Sequence, residues 1–198
     1  MTARPPTGGA LHRPRVTSAI REAALEELAA NGYARLSMDA VARRAGVGKA
    51  AIYRRWSSKV ALVGDLIGDV FVPPDATVTG NLGDDLHSLM TSFAALLSAP
   101  RIPAIMADLA SEARRSPELS QRIAETVGDP YRSRITDVLD RAIAGGELPP
   151  SLDREAALDL TLSSLYWRVV VRRQSLEPRD LRLFAAAVAA GLAALDSA

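Results

Sequence analysis

A short segment at residues 46–56, GVGKAAIYRRW, gathers side chains that are suited to binding a polyanion. Its polar positions carry Lys49, Tyr53, Arg54 and Arg55, and the segment contains no acidic residue. A helix that only faces solvent normally mixes its charges. Cations and hydroxyls hold phosphates, and long donors read base edges in the major groove of DNA. The segment therefore predicts a nucleic-acid-binding helix, with a solvated basic face as the alternative.

Three residues around this helix have the spacing of a helix-turn-helix. Ala42 is small enough for two helices to cross closely, Gly46 suits a turn with positive φ, and Ile52 supplies an apolar contact from the second helix. If Ile52 faces the core, Lys49 and Tyr53 face away from it. The same three residues would also suit an ordinary helical hairpin, so the basic outward face is what favours DNA.

The charge distribution points to the same part of the chain. Residues 1–72 contain 11 Lys or Arg against 6 Asp or Glu, a net charge of +5, and the remaining residues carry −4. A basic first third followed by an acidic remainder indicates that only the first part meets a polyanion. Lys59, near the start of the following helix, is placed to contact a phosphate beside free backbone N–H groups.

The elements that must position these residues are helices. Runs rich in Ala, Leu and Arg favour helix, whereas β-branched and aromatic clusters are too sparse for sheets, so an all-α fold is predicted. Thr17 or Ser18, Ser37, Ser57-Ser58 and Asp129 are the expected N-caps, and Asn31-Gly32 and Gly46 the expected ends. The predicted helices are about 17–30, 37–45, 48–55, 59–71, 81–98, 101–115, 118–127, 130–145, 153–174 and 178–196.

Composition excludes several other functions. The sequence has no cysteine and only two histidines, neither near a second plausible ligand, so no metal site and no cofactor are predicted. No Gly-rich phosphate loop and no nucleophile with a recognisable base occur, so an enzyme is not expected. Without a membrane-spanning apolar run or a secretory h-region, the protein is predicted to be cytoplasmic and associated with the nucleoid.

Two long stretches resemble a known family. AALEELAANGY and LSMDAVARRAGVGKAAIYRRWSSK are similar, without gaps over about residues 16–70, to the N-terminal domain of TetR-type transcriptional regulators. GDDLHSLMTSFAALL, EARRSPEL and AIAGGELPPSLDREAALDLTLSSLYWRVV resemble, more weakly, one C-terminal subgroup that does not fix a ligand. The resemblance implies a three-helix helix-turn-helix domain at 16–72, preceded by a flexible basic arm at 1–15. A helical ligand-binding and dimerisation domain would follow at 78–198.

The resemblance also implies a function. The protein would be a repressor that binds a pseudo-palindromic operator as a homodimer through residues 37–56. A small, largely apolar effector in the C-terminal domain would release it. Repression rather than activation is expected from the family, although no residue in the sequence decides it. A helical protein that binds an acidic partner through the same basic face is the remaining alternative.

Individual roles follow from matching positions. Tyr53 matches the family's DNA-contacting tyrosine, Lys59 its phosphate-binding lysine, and Ser37 the hydroxyl residue that starts the first helix of the motif. Lys49, Ala50, Ala51 and Arg54 match positions that commonly face bases. Gly48 departs from the usual Ser or Thr cap, and Arg55 and Trp56 replace the more usual histidine and phenylalanine. Trp56 is expected in the core and Arg55 is a further phosphate candidate. In the arm, Arg4, Arg13 and Arg15 either reach into a minor groove or belong to an inert tail.

The second part of the chain is expected to hold the effector and the dimer interface. Helix 153–174 is apolar almost all round, and the last helix is dense in alanine. The two helices are predicted to pair with their copies in a four-helix dimer bundle, although an intramolecular core would use much of the same pattern. Residues expected to line the effector pocket are Phe93, Leu97, Met106, Leu109, Tyr131 and Trp167.

Overall fold

The structure, a computed structural model, describes the backbone of residues 9–72 and 79–195, with side chains from Arg15 onward. Over those residues the protein consists of α-helices and two π-helical segments, without a strand. This confirms the predicted all-α fold. The helices are α1 Gly9–Arg35, α2 Met38–Arg44, α3 Lys49–Tyr53, α4 Lys59–Val70, α5 Leu82–Leu97, α6 Ile102–Ala113, α7 Pro117–Ile123, α8 Asp129–Ala144, α9 Arg154–Tyr166 and α10 Pro178–Ala193; the π-helical segments are Ala124–Gly128 and Trp167–Val171.

Local sequence signals set most of these boundaries. The hydroxyls of Ser37 and Ser58 each accept the backbone N–H three residues later, at 3.1 Å, so both act as N-caps. Gly32 has a φ of 72° and breaks the helical course of α1, and Gly46 has a φ of 66° in the turn between α2 and α3. Because side chains with a Cβ rarely adopt such angles, glycine suits both positions.

Two boundary predictions are wrong. Helix α1 begins at Gly9 instead of Thr17 or Ser18, so residues 9–15 of the expected flexible arm are helical. Ala10, Leu11 and Arg13 have high helix propensity, but Gly9 and Pro14 do not, so the extension relies on propagation from the helix that follows. Asp129 is not an N-cap, because Gly128 before it already has helical φ and ψ and the chain enters α8 directly from a π-helical segment. Residues 1–8, with Arg4, lie outside the described residues, as does the side chain of Arg13.

The chain forms two compact units. Unit 1 consists of the described residues up to Val70 together with Asp108–Ile123, and unit 2 of Phe71–Ala107 and the described residues from Ala124. Helix α6 is divided between them. Unit 1 therefore includes α7 and half of α6, which the sequence assigns to the second domain.

Unit 1 is built on apolar faces of α1, α2, α3, α4 and α7. Ile20, Leu28, Ile52 and Leu62 are completely or almost completely buried. Polar contacts tie α1 to α4, since Arg21 forms ion pairs of 2.9 and 2.8 Å with Asp65 and Asp69. Trp56 is buried as predicted, and its indole N–H donates to Asp65 at 2.9 Å.

Unit 2 is a bundle in which α5, α8, α9 and α10 share one core. Helix α5 is its central element, with eight buried residues along its length. One of these is Asp85, which accepts bonds from the Thr79 N–H at 2.7 Å and the Thr79 hydroxyl at 2.9 Å. The carboxylate thus fixes the chain that enters the bundle.

Across residues 9–72 and 79–195, no single helix is long and apolar enough to cross a membrane. Helices α5 and α6 meet that criterion only as a pair, bent by 90° between them, and on length and composition alone. A buried core helix such as α5 meets it equally well.

Candidate nucleic-acid interface

Helix α3 places its apolar and polar residues on opposite sides. Ile52 is fully buried, as predicted, and Ala42 from α2 is buried in the same unit. Tyr53 on the other side is 46% exposed. The predicted outward face of α3 is therefore accessible to a macromolecule.

Lys49 begins this outward face and is balanced by a carboxylate from the preceding helix. Its ammonium lies 2.8 Å from Asp39 Oδ1 and 5.8 Å from the centre of the Tyr53 ring. The hydrogen bond to Asp39 raises the pKa of Lys49 above its ordinary value. Sequence reasoning found no acid inside the segment 46–56 and so missed Asp39, which comes from the facing helix. The charge of Lys49 is therefore paired within unit 1.

The two arginines at the end of α3 differ in their surroundings. Arg54 is exposed, and its side chain has no hydrogen bond or ion pair with any described residue. Arg55 is half-buried and turns back towards its own unit, where it donates to the Thr17 hydroxyl at 2.9 Å and to the Ala51 carbonyl at 2.8 Å. Arg54 is thus available to a ligand, whereas Arg55 joins α3 to α1.

Lys59 contacts the backbone that follows the kink in α1. Its ammonium donates to the Tyr33 carbonyl at 2.9 Å and lies 4.2 Å from the centre of the Tyr33 ring. The Tyr33 N–H in turn donates to the Asp108 carboxylate at 2.7 Å. Asp108 also packs against Gly32, where a Cβ would lie 2.8 Å from a carboxylate oxygen. Sequence reasoning missed Tyr33 and Asp108, because no local pattern shows that α6 meets this turn.

The remaining predicted contacts lie around α3. Ser37 is exposed at the start of α2, Ala50 is exposed and Ala51 is half-buried on α3. Gly48 precedes α3 and offers no side-chain cap, as its lack of a hydroxyl predicts. The backbone N–H groups in the first turn of α3 therefore rely on other partners.

A buried carboxylate on α1 binds the first helix of the helix-turn-helix. Glu27 on α1 accepts from Arg44 at 2.8 Å and from Asn31 at 2.9 Å, and Arg44 also binds Glu26 at 3.1 Å. The Arg44 hydrogen bond holds the pKa of Glu27 below its ordinary value. These contacts fix α2 on α1 and thereby orient the motif.

Comparison with known proteins agrees with this geometry. Residues 20–66 match the family of bacterial regulatory proteins of the tetR type, and residues 73–188 match the tetracyclin repressor-like C-terminal domain. A DNA-binding transcriptional repressor TetR from Mycobacteroides abscessus is 31% identical over 157 residues, covering 78% of this chain and 82% of the relative. The chain belongs to the TetR family.

Solved structures of this family have the same fold. The flavonoid-responsive regulator FrrA matches with a TM-score of 0.71 at 24% identity, over 90% of this chain and 95% of that one. The transcriptional regulator FadR from Bacillus subtilis, solved in complex with stearoyl-CoA, matches with a TM-score of 0.69 at 21% identity, over 91% of this chain and 98% of that one. These structures show the fold, and membership of the TetR family identifies the protein as a DNA-binding transcriptional regulator with a helix-turn-helix.

In this TetR-family chain, α9 and α10 expose an unusual amount of apolar surface. Leu160, Trp167 and Val171 are 36%, 59% and 49% exposed along α9 and the π-helical segment after it. Leu183 on α10 is 65% exposed and is followed on the same side by the exposed residues Ala186, Ala187, Ala190 and Ala194. We call these residues of α9, the π-helical segment and α10 the apolar face.

The six residues predicted to line the effector pocket lie in three different settings. Phe93, Leu97 and Tyr131 are buried in the core of unit 2, with Met106 packed against it, and the rings of Phe93 and Tyr131 meet edge to face at 5.3 Å. Leu109 is buried in unit 1, and Trp167 is on the apolar face. Burial raises the pKa of Tyr131 to about 12, and its hydroxyl has no partner among the described residues.

A cleft of about 610 Å³ opens in unit 2 between α6 and the end of α9. None of the six predicted pocket residues lines it. Its apolar wall is formed by α6 and the π-helical segment, and its polar wall by the loop before α10. The lining residues are Ser98, Pro103, Ala104, Ala107, Val169, Val170, Arg173, Gln174, Ser175 and Leu176.

Within the described ranges, no group of three or more His, Asp or Glu side chains is arranged to hold a metal ion. The charged clusters of this regulator are ion pairs such as Arg168 with Asp180 at 3.2 Å. This pair joins the π-helical segment Trp167–Val171 to α10 within unit 2.

Proposed function

We propose that the protein is a repressor that binds a pseudo-palindromic operator as a homodimer and leaves it when a small molecule binds unit 2. The observation that carries the proposal is the outward face of α3, where Tyr53 and Arg54 are exposed opposite the buried Ile52. The relative from Mycobacteroides abscessus bears the name of a repressor, which favours repression over activation.

The proposed DNA contacts divide by role. Tyr53, Lys59 and Ser37 bind phosphates and so set the register of the protein on the duplex. Arg54 and Lys49 read base edges in the major groove, while Ala50 and Ala51 keep the helix close to the bases. Arg55 contributes to phosphate binding only if it leaves Thr17, so its contribution is the smallest of the set.

The apolar face supports a homodimer. Leu160, Trp167 and Val171 recur at helical spacing, as do Leu183, Ala187 and Ala194 on α10. Large exposed apolar areas commonly mark interfaces, and alanines let two helices approach closely. Two copies joined in this way would form a four-helix contact. A two-fold dimer then presents its two recognition helices to half-sites about 34–36 Å apart.

Effector binding is assigned to unit 2 for two separate reasons. The unpaired Tyr131 hydroxyl marks the core near Phe93 and Leu97 as a region that a ligand donor or acceptor would complete. The cleft beside α6 is already large enough to hold a small molecule without movement of the helices around it. Two proteins of similar fold are described as flavonoid-responsive and as bound to stearoyl-CoA, and both ligands carry an extended apolar part, aromatic rings in one and an acyl chain in the other. A regulator that binds bacterial DNA works beside the nucleoid, so we assign it to the cytoplasm.

The test is a titration of the protein against labelled DNA from its own upstream region, with a scrambled competitor, at near-physiological salt. We expect nanomolar binding to a palindromic stretch and at least a thousandfold weaker binding to the competitor. Tyr53→Ala and Lys59→Ala should weaken both kinds of binding, since phosphate contacts carry no sequence information. Equal affinity for both DNAs, with all variants unchanged, would refute the assignment of α3 to the major groove.

A further inference from the structure

We propose that the cleft beside α6 is an anion-binding site, and that the effector is an amphipathic molecule with one negatively charged group. This inference rests on the proposed function and adds the chemical class of the effector. The charged group binds Arg173, and the apolar body lies against Pro103, Ala104 and Val170.

The cleft combines an apolar wall with a single charge. Six of its lining residues are apolar, and they come from α6, from the π-helical segment and from Leu176. Ser98, Gln174 and Ser175 supply neutral polar groups. Among the described residues, Arg173 is the one charged residue that lines the cleft, and no carboxylate lines it. Arg173 is exposed, so its guanidinium is accessible and can form charge-assisted hydrogen bonds with a carboxylate, sulfonate or phosphate.

The turn that carries Arg173 is fixed, and the Arg173 side chain has no partner among the described residues. Its φ of 54° lies in the left-handed region, which non-glycine residues adopt rarely and often near functional sites. The turn around it is fixed, since the Gln174 N–H donates to the Arg168 carbonyl at 3.0 Å and the Arg168 side chain donates to the Ser175 carbonyl at 3.2 Å. Of the residues in the described ranges, none forms a hydrogen bond or ion pair with the Arg173 side chain.

The neighbouring arginines differ from Arg173 in ways that make it the binding residue. Arg168 is neutralised by Asp180 at 3.2 Å and lies over the Phe184 ring. Arg172 is exposed but does not line the cleft. Arg172 therefore adds positive potential without contact, which makes it the natural control.

The experiment compares three probes that share one alkyl chain: decanoate, 1-decanol and decyltrimethylammonium. Calorimetric titration of the full-length protein without DNA measures each affinity, below the concentrations at which the probes form micelles. We expect decanoate to bind about tenfold or more tightly than decanol, the ratio given by one charge-assisted hydrogen bond, and the cation to bind least. Arg173→Gln should remove the preference, Arg173→Lys should keep most of it, and Arg172→Gln should leave it within about twofold.

Several outcomes overturn the proposal. Equal affinities for decanoate and decanol, binding of none of the three probes, or an unchanged preference in Arg173→Gln would each do so. If Tyr131→Phe abolished decanoate binding and Arg173→Gln did not, the binding site would lie in the core near Tyr131 and not in the cleft. Operator affinity is measured separately with saturating decanoate. If decanoate binds but operator affinity is unchanged, the cleft is an anion-binding site, and the proposal that its ligand releases the protein from the operator is wrong.

Discussion

Arg54 and Arg55 both follow α3 in a basic segment but differ in their contacts. Arg54 has no hydrogen bond or ion pair with a described residue, whereas Arg55 donates to the Thr17 hydroxyl and the Ala51 carbonyl. Arg54→Ala should relax preference for particular base pairs by about 1–3 kcal/mol if it makes a bidentate contact. Arg55→Ala should instead lower the free energy of unfolding by about 1 kcal/mol, since it removes internal hydrogen bonds.

Binding to a set of operators with single base-pair changes, beside urea unfolding, separates the two effects. Altered base preference in Arg55→Ala with none in Arg54→Ala would reverse the assignment.

Glu27 should make the stability of the protein depend on pH. The Arg44 hydrogen bond lowers its pKa in the folded protein below the ordinary value of 4.5. Stability from this group is therefore complete above 4.5 and is lost as the pH falls through the folded value. Glu27→Gln should be less stable than the native chain at pH 7, and the difference should shrink on acidification below about 4.5.

Thermal unfolding over a pH series measures this difference. Asp137→Asn, which changes an exposed carboxylate on α8, controls for the general effect of net charge. A difference that stays constant down to the acid limit would show that Glu27 acts by packing alone.

At the scale of elements, the recognition helix is short and begins without a side-chain cap. Gly48 has a φ of −69°, and a Cβ there would meet nothing within 4 Å. Gly48→Ser should therefore stabilise the protein by a few tenths of a kcal/mol by capping α3. Gly46→Ser has equal space but a φ of 66°, so it should destabilise by about 1 kcal/mol or more. Urea unfolding of the pair checks the sign of each change, and equal effects would contradict this account.

Asp108 lies on the part of α6 that belongs to unit 1, where its carboxylate accepts the Tyr33 N–H. Asp108→Ala removes the acceptor of the Tyr33 N–H, and Tyr33 holds Lys59. We expect operator affinity to fall by about 0.5–2 kcal/mol, and we expect most of this loss to vanish when Lys59→Ala is already present. Asp137→Ala, an exposed carboxylate on α8, is the control. Additive losses from Asp108→Ala and Lys59→Ala would show that the two residues act independently.

The elements were largely predictable, whereas their partners were not. Ser37, Ser58 and Gly46 mark boundaries through bonds to their own backbone, so local sequence suffices. The inward turn of Arg55 depends on Thr17, far away in sequence, and the burial of Leu109 in unit 1 depends on the division of α6. The exposure of Trp167 could not be predicted either, because an apolar pattern in the sequence does not distinguish a core residue from an interface residue.

For the whole molecule, the decisive property is the oligomeric state. Leu183 is 65% exposed on the apolar face, so Leu183→Glu should place a charge in the proposed dimer contact and give monomers. Because one half-site supplies only half of the contacts, operator affinity should fall by orders of magnitude while the helical content is kept. Val72→Glu, at a residue that is 63% exposed and does not belong to α9, the π-helical segment after it or α10, is the matched control.

Sedimentation velocity and operator titration measure both properties together. A Leu183→Glu variant that remains dimeric would rule out this face as the contact. Monomers that retain full operator affinity would rule out the need for a dimer.

The placement of the two tryptophans gives the protein a natural spectroscopic label in each unit. Trp56 is 6% exposed and its indole N–H is bonded to Asp65, whereas Trp167 is 59% exposed. An indole in an apolar environment emits at shorter wavelength than one in water, and a small aqueous quencher reaches only the exposed ring. Emission from Trp167 should therefore shift to the blue and resist quenching as copies associate, while Trp56 reports unfolding of unit 1. Assembly and unfolding can thus be followed by the wavelength of tryptophan emission in the unlabelled protein.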